Sequence, residues 1–245
     1  MPDRQRASHV EEQRLLLGPQ DRSSEFWRVL RIAWEFMRGF RKLHFVGPCV
    51  TVFGSAKFAQ GHPYYEAAQE MGRLLGREGF TVMTGGGPGL MEAANRGAKE
   101  VGGRSIGCNI ELSFPQAPNN YLDDLITFRY FFVRKVMLVK YSYAFVVFPG
   151  GFGTLDEIFE ALTLIQTEKI RDFPVILIGS DFWSPLVQFM HDRLVAQQTI
   201  SEPDFRLLHL MDSPAEALEA LRDMAIRRFG LTYGPRMKRR RFLFE

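Results

Sequence analysis

The chain has 245 residues, 46% hydrophobic and 24% charged, the composition of a globular protein with room for a sizeable core and not of a disordered, collagen-like or coiled-coil chain. No apolar run approaches the ~18 residues that a membrane span requires. The formal charge of +3 divides into +3 for residues 1–44, −4 for 45–235 and +4 for 236–245; the basic excess sits at the ends, which argues against a folded body that grips nucleic acid by its phosphates.

Residues 1–22 read as a polar arm, and their scattered charges are unlike a signal peptide. From 23 to 44, Phe26, Trp27, Leu30, Trp34, Met37 and Phe40 recur at helical spacing, with Ser24 as the cap, predicting an amphipathic helix that packs on the body or on a second subunit. Residues 45–230 then alternate short apolar runs with helical stretches. Strands are predicted at 49–56, ending in a small-residue turn, and at 80–84, 104–110, 125–131, 144–148, 174–178 and 205–211. Helices are predicted at 63–78, from the turn 85–89 through 100, from 131 through Tyr141, after 154, from Trp183 to Gln197, and at 214–228. Strands apolar on both faces and separated by helices make one doubly wound, mostly parallel, Rossmann-like α/β sheet with helices on both faces. Residues 231–245 form a basic tail.

In such sheets ligands bind beyond the carboxyl ends of the strands. Three unusual turns fall there: GSA (54–56), GGGPG (85–89) and PGGFGT (149–154). Glycine lets a ligand approach the backbone N–H groups, and the following helix start presents unpaired donors, so together they describe a phosphate pocket. One glycine cluster alone would read as a tight turn. Neither cluster matches a Walker loop or a dinucleotide fingerprint, which weakens ATP hydrolysis and NAD binding. Thr154 and Glu157 admit two readings: Thr-x-x-Glu is a capping box, and a carboxylate beside a glycine pocket is also a candidate catalytic group. Leu155, Ile158, Phe159, Leu162 and Ile165 form a core face that leaves Glu157 off it. The five histidines are dispersed, so no metal site or His-based triad is predicted. Cys49 and Cys108 lack CxxC spacing and point to a reducing cytoplasm.

GGGPGLMEAANRGA (85–98), FRYFFVRK (128–135) and PGGFGTLDE (149–157) resemble the LONELY GUY (LOG) family of cytokinin riboside 5′-monophosphate phosphoribohydrolases, part of a Rossmann-like group often labelled lysine decarboxylase. The resemblance spans roughly residues 47–228. It implies hydrolysis of the N-glycosidic bond of a nucleoside 5′-monophosphate, AMP or an N6-modified AMP, to free base and ribose 5-phosphate. By that resemblance Arg134 and Glu157 are the catalytic pair. Gly150, Gly151, Gly153 and Thr154 hold phosphate, Gly86 and Gly87 line the other side, and Lys135 lends local charge. Ser55, in the first turn, is a further candidate ligand contact. No cofactor is called for, and the expected assembly is a homodimer or higher even oligomer. ELSFPQ (111–116) departs from the family pattern at Ser113 and Pro115, which leaves base specificity open. The reading from a different class is a nucleotide or cofactor carrier that uses the same pocket without turnover. Such a carrier needs the glycine loops but not Glu157.

Overall fold

The computed structural model describes residues 12, 15–18, 21–112, 116–171 and 173–229, the last five by backbone alone. Most of the polar arm, the basic tail and the departure at Ser113 and Pro115 lie outside the described residues. The elements are α1 (Arg22–Leu43), β1 (Cys49–Phe53), α2 (Pro63–Arg77), β2 (Thr81–Thr84), α3 (Leu90–Glu100), β3 (Ser105–Ile110), β4 (Asp124–Phe128), α4 (Phe131–Tyr141), β5 (Ala144–Val147), α5 (Phe152–Gln166), β6 (Val175–Ile178), α6 (Ser180–Phe189), α7 (Glu202–Phe205), β7 (Leu208–Met211) and α8 (Pro214–Phe229).

The seven strands form one sheet in the order β4-β3-β2-β1-β5-β6-β7, every pair parallel. The alternation of side chains along each buried strand splits the core in two. Phe145 and Val147 of β5 join Cys108, Met137, Ile158 and Trp183 on the face covered by α1, α4, α5 and α6. Ala144 and Val146 join Leu75, Leu90 and Leu221 on the face covered by α2, α3 and α8. Strand order reverses between β1 and β5, and the crevice at that reversal lies between the turns that follow them.

Three local expectations are corrected. The strand expected over 205–211 starts at Leu208, because Ser201 and Asp204 form a capping box that makes Glu202–Phe205 a short helix. The helix expected to run unbroken to Gln197 passes at Met190 into a π-helical stretch through Val195. The cap of α1 is Asp21, not Ser24: its carboxylate accepts the N–H of Ser23 at 3.2 Å. The apolar residues of α1 are divided between two faces: Ile32, Phe36 and Phe40 pack against the core, and most of the aromatic stripe points outward. Phe26, Trp27, Leu30, Trp34 and Met37 are exposed, while Arg28, Glu35, Gly39 and Leu43 face the body. Gly39 explains the choice, because a methyl there would stand 2.9 Å from Met137 Sδ and 3.1 Å from the Phe128 ring.

Candidate active site

The three turns predicted at strand ends come together through the backbone of Ser55. Its N–H donates to the carbonyl of Pro149, and its carbonyl accepts the N–H of Leu90, both at 3.0 Å. Its hydroxyl accepts the N–H of Lys57 at 3.1 Å, so Ser55 joins the turns while its side chain serves its own loop. Gly86 and Gly89 have φ of +72° and +69°, values that side-chain-bearing residues rarely adopt. A buried polar network fixes this turn. Thr84 Oγ1 accepts the Gly86 N–H and donates to Asn95 Oδ1, and Asn119 Nδ2 bridges Asn95 Oδ1 and the Gly87 carbonyl at 3.0 Å each. Thr84, Asn95 and Asn119 were not singled out from sequence, since none belongs to a glycine turn and their meeting is a product of the tertiary fold.

The turn at 149–154 opens α5. Gly151 is its N-cap and makes no side-chain cap bond, so the helix starts at Phe152. Thr154 is therefore already inside the helix, and the capping box expected from Thr-x-x-Glu does not form. The described residues offer no acceptor to the N–H groups of Gly150, Gly151, Phe152 and Gly153. A methyl on Gly151 or Gly153 would meet nothing within 4 Å. Open space and unpaired donors at a helix start are what an anion requires. Gly150 is different in kind: a methyl there would stand 2.6 Å from Thr154 Cβ and overlap Thr154 Oγ1.

Starting α5 at Phe152 rotates Glu157 onto the buried face with Thr154, Ile158, Ala161 and Leu162. This corrects the expectation that the core face would leave Glu157 off it, and Phe159, assigned to that face, is exposed. Glu157 is 4% exposed, and its Oε2 has no hydrogen-bond partner among the described residues. Burial pushes its carboxyl up to about 7, against the pull of Arg134 and Lys135, with Glu160 and Asp156 adding to the rise.

Arg134, one turn into α4, donates from Nε to the carbonyl of Cys108 in β3, at 3.0 Å. Its Nη2 lies against Gly85, where a methyl would stand 2.9 Å away. Arg134 thus touches the glycine turn at 85–89 while its charge acts on Glu157. Lys135 is otherwise committed: its Nζ is 2.9 Å from Asp156 Oδ1 and 3.0 Å from Glu160 Oε2, tying α4 to α5. Asp156 is taken up by this pair. Cys108 and Cys49 are free and buried, and burial pushes the Cys108 thiol up to about 12, which makes it a poor nucleophile. Gln116 Nε2 and Met91 Cε flank Gly87 and line the same region. A separate cleft of about 670 Å³, lined by Phe173, Arg206 and His209 among others, opens by Pro174 and Leu207 at the opposite ends of the strands, away from these groups.

The model of a family described as possible lysine decarboxylase matches residues 91–221, more than half of the chain. The chain belongs to this family, the LONELY GUY family. A cytokinin riboside 5′-monophosphate phosphoribohydrolase from Rhodococcoides fascians is 30% identical over 149 residues, covering 60% of this chain and 75% of its own length. The LOG phosphoribohydrolase of Oryza sativa subsp. japonica is 31% identical over 173 residues, 69% of this chain and 70% of its own. Among solved structures, a molybdenum cofactor binding protein from the phototrophic bacterium Rippkaea orientalis superposes with a TM-score of 0.53 at 26% identity, covering 73% of this chain and 97% of that one. The LONELY GUY match begins after the first glycine turns and leaves α1 outside it. No helix among the described residues is long and apolar enough to cross a membrane.

Proposed function

We propose that the chain is a phosphoribohydrolase that cleaves the N-glycosidic bond of a nucleoside 5′-monophosphate, AMP or an N6-modified AMP. The observation that carries this reading is the buried Glu157 carboxylate with an unsatisfied oxygen, beside Arg134 and one turn inside a helix whose first amides face open space. The 5′-phosphate binds the amides of Gly150, Gly151 and Gly153 and the turn at Gly86 and Gly87. Its binding energy places the ribose against Glu157. Breaking the C–N bond builds positive charge on the sugar, which an ionised carboxylate near the anomeric carbon stabilises while orienting water. A carboxyl that titrates near 7 is suited to take the proton of that water. Arg134, permanently charged, orients the nucleotide and offsets charge on the departing base.

A carrier role is favoured by one observation, the likeness to a molybdenum cofactor binding protein. Product analysis separates the two. The protein is incubated with AMP and the mixture chromatographed for adenine and ribose 5-phosphate, with Glu157→Gln as control. Release of both products by the wild type alone supports the enzyme; no free base from any common monophosphate overturns it in favour of the carrier.

The same reading includes a homodimer or higher even oligomer. The outer face of α1 exposes Phe26, Trp27, Leu30, Trp34 and Met37. Those side chains present on the order of 600 Å² per protomer, close to the ~800 Å² per partner of a standard interface. A monomer mass by light scattering would refute this part. Two buried free thiols accord with a reducing cytoplasm.

A further inference from the structure

We propose that Glu35 is a positioning residue for Arg134: its buried carboxylate caps the entry to α4 and so sets where the guanidinium lies. This rests on the phosphoribohydrolase reading above. Helix α4 starts with FFVRKV, its N-cap Tyr130 makes no side-chain cap bond, and its first turn contains no acidic residue. The orphan donors at its entry must find acceptors elsewhere. Phe131, the first helical residue, and Arg129, just before the N-cap, find them in the segment that precedes β1. The N–H of Arg129 donates to both carboxylate oxygens of Glu35 at 3.2 Å, and the N–H of Phe131 donates to Glu12 Oε1 at 2.9 Å.

The Glu35 side chain is only 8% exposed, and the Arg129 guanidinium stands 3.9 Å from it. A buried carboxylate is costly unless it is hydrogen-bonded. Burial pushes this carboxyl up, while the backbone N–H groups of Arg129 and Tyr130 and the Arg129 charge pull it back and Glu111 adds to the rise. One turn further along the same face of α1, Gly39 lies against Met137 of α4. Two contacts a turn apart fix both the rotation and the register of α1 on α4. From the capped segment to Arg134 the path is short. The Arg134 N–H donates to the carbonyl of Tyr130 at 3.2 Å, and its Nε is held from the other side by Cys108. Neither Glu12 nor Glu35 lies within the residues that match the family model.

The test compares Glu35→Ala and Glu35→Gln in the full chain, reading hydrogen exchange at the amides of residues 129–134 and steady-state kinetics with AMP. In the alanine variant exchange accelerates and kcat falls about tenfold with KM within about threefold of wild type; the glutamine variant, which keeps an acceptor, stays within about threefold in kcat. If the alanine variant does not fold, Glu35→Asp replaces it, and its carboxylate, one methylene short of Arg129, loses kcat where glutamine keeps it. Unchanged exchange in the alanine variant overturns the cap, and faster exchange with wild-type kinetics overturns the link to Arg134. A wild type that releases no base from any monophosphate defeats the phosphoribohydrolase reading instead, and the exchange data then decide the cap alone.

Discussion

Replacing Glu157 by Gln should abolish turnover and make the protein more stable, and the gain should depend on pH. A carboxyl that titrates near 7 instead of 4.5 makes its ionised form about 3 kcal/mol costlier in the folded chain than in the unfolded one, at roughly 1.4 kcal/mol per pH decade. The folded state therefore holds its proton more tightly than the unfolded state, and stability declines as pH rises from 4.5 to about 7. Below that window both states are protonated and Glu157 contributes nothing; above it the whole cost applies. Gln stands in for the protonated carboxyl and removes the cost; because the pull of Arg134 and Lys135 is already contained in the shift, the net gain at pH 8.5 should be about 3 kcal/mol, or roughly 6–12 °C in melting temperature for a chain of this size. At pH 4.5 the gain should fall to near zero. Thermal melts followed by tryptophan fluorescence at both pH values provide the assay. A Gln variant that melts no higher than wild type at pH 8.5, or that gains equally at both pH values, would show that Glu157 is a satisfied structural group.

The glycines of the turn at 149–154 should separate by mechanism. Gly150→Ala overlaps Thr154 and is expected to lower stability by about 1–3 kcal/mol, whereas Gly151→Ala, which meets nothing in the free protein, should melt like wild type and raise KM for AMP at least tenfold. Lys135 holds the Glu157 carboxyl down, so Lys135→Ala should move the acidic limb of the kcat/KM profile, expected near pH 7, upward by about half a pH unit; a downward move would contradict the assignment. Deleting residues 236–245 should leave turnover of AMP intact, and a large loss would show that the basic tail is part of the site.

The doubly wound sheet was legible because its strands are short, apolar on both faces and punctuated by glycine turns, a pattern that only a buried parallel sheet requires. The glycine turns were legible as strand-end turns for the same reason. What sequence could not supply was rotation. Thr154 and Glu157 satisfy the local rule for a capping box, and only the start of α5 at Phe152 turns the carboxylate inward. The aromatic stripe of α1 satisfies the rule for a core-facing helix, yet Phe26, Trp27, Leu30, Trp34 and Met37 stay exposed, because the close approach of Gly39 to Met137 and the bond of Glu35 to Arg129 turn Ile32, Phe36 and Phe40 to the body instead. Asn95 and Asn119 were invisible because a polar residue announces its role only through partners distant in the chain.

The central claim is that glycine-turn amides hold a 5′-phosphate so that Glu157 can cleave the sugar behind it. Measuring kcat/KM for AMP and for adenosine under identical conditions tests it most directly, because the two differ only in the group those amides bind. The account predicts base release from AMP with adenosine slower by a factor of about 10³ or more, the loss of remote phosphate binding energy at the chemical step. Comparable rates with the two substrates would contradict it.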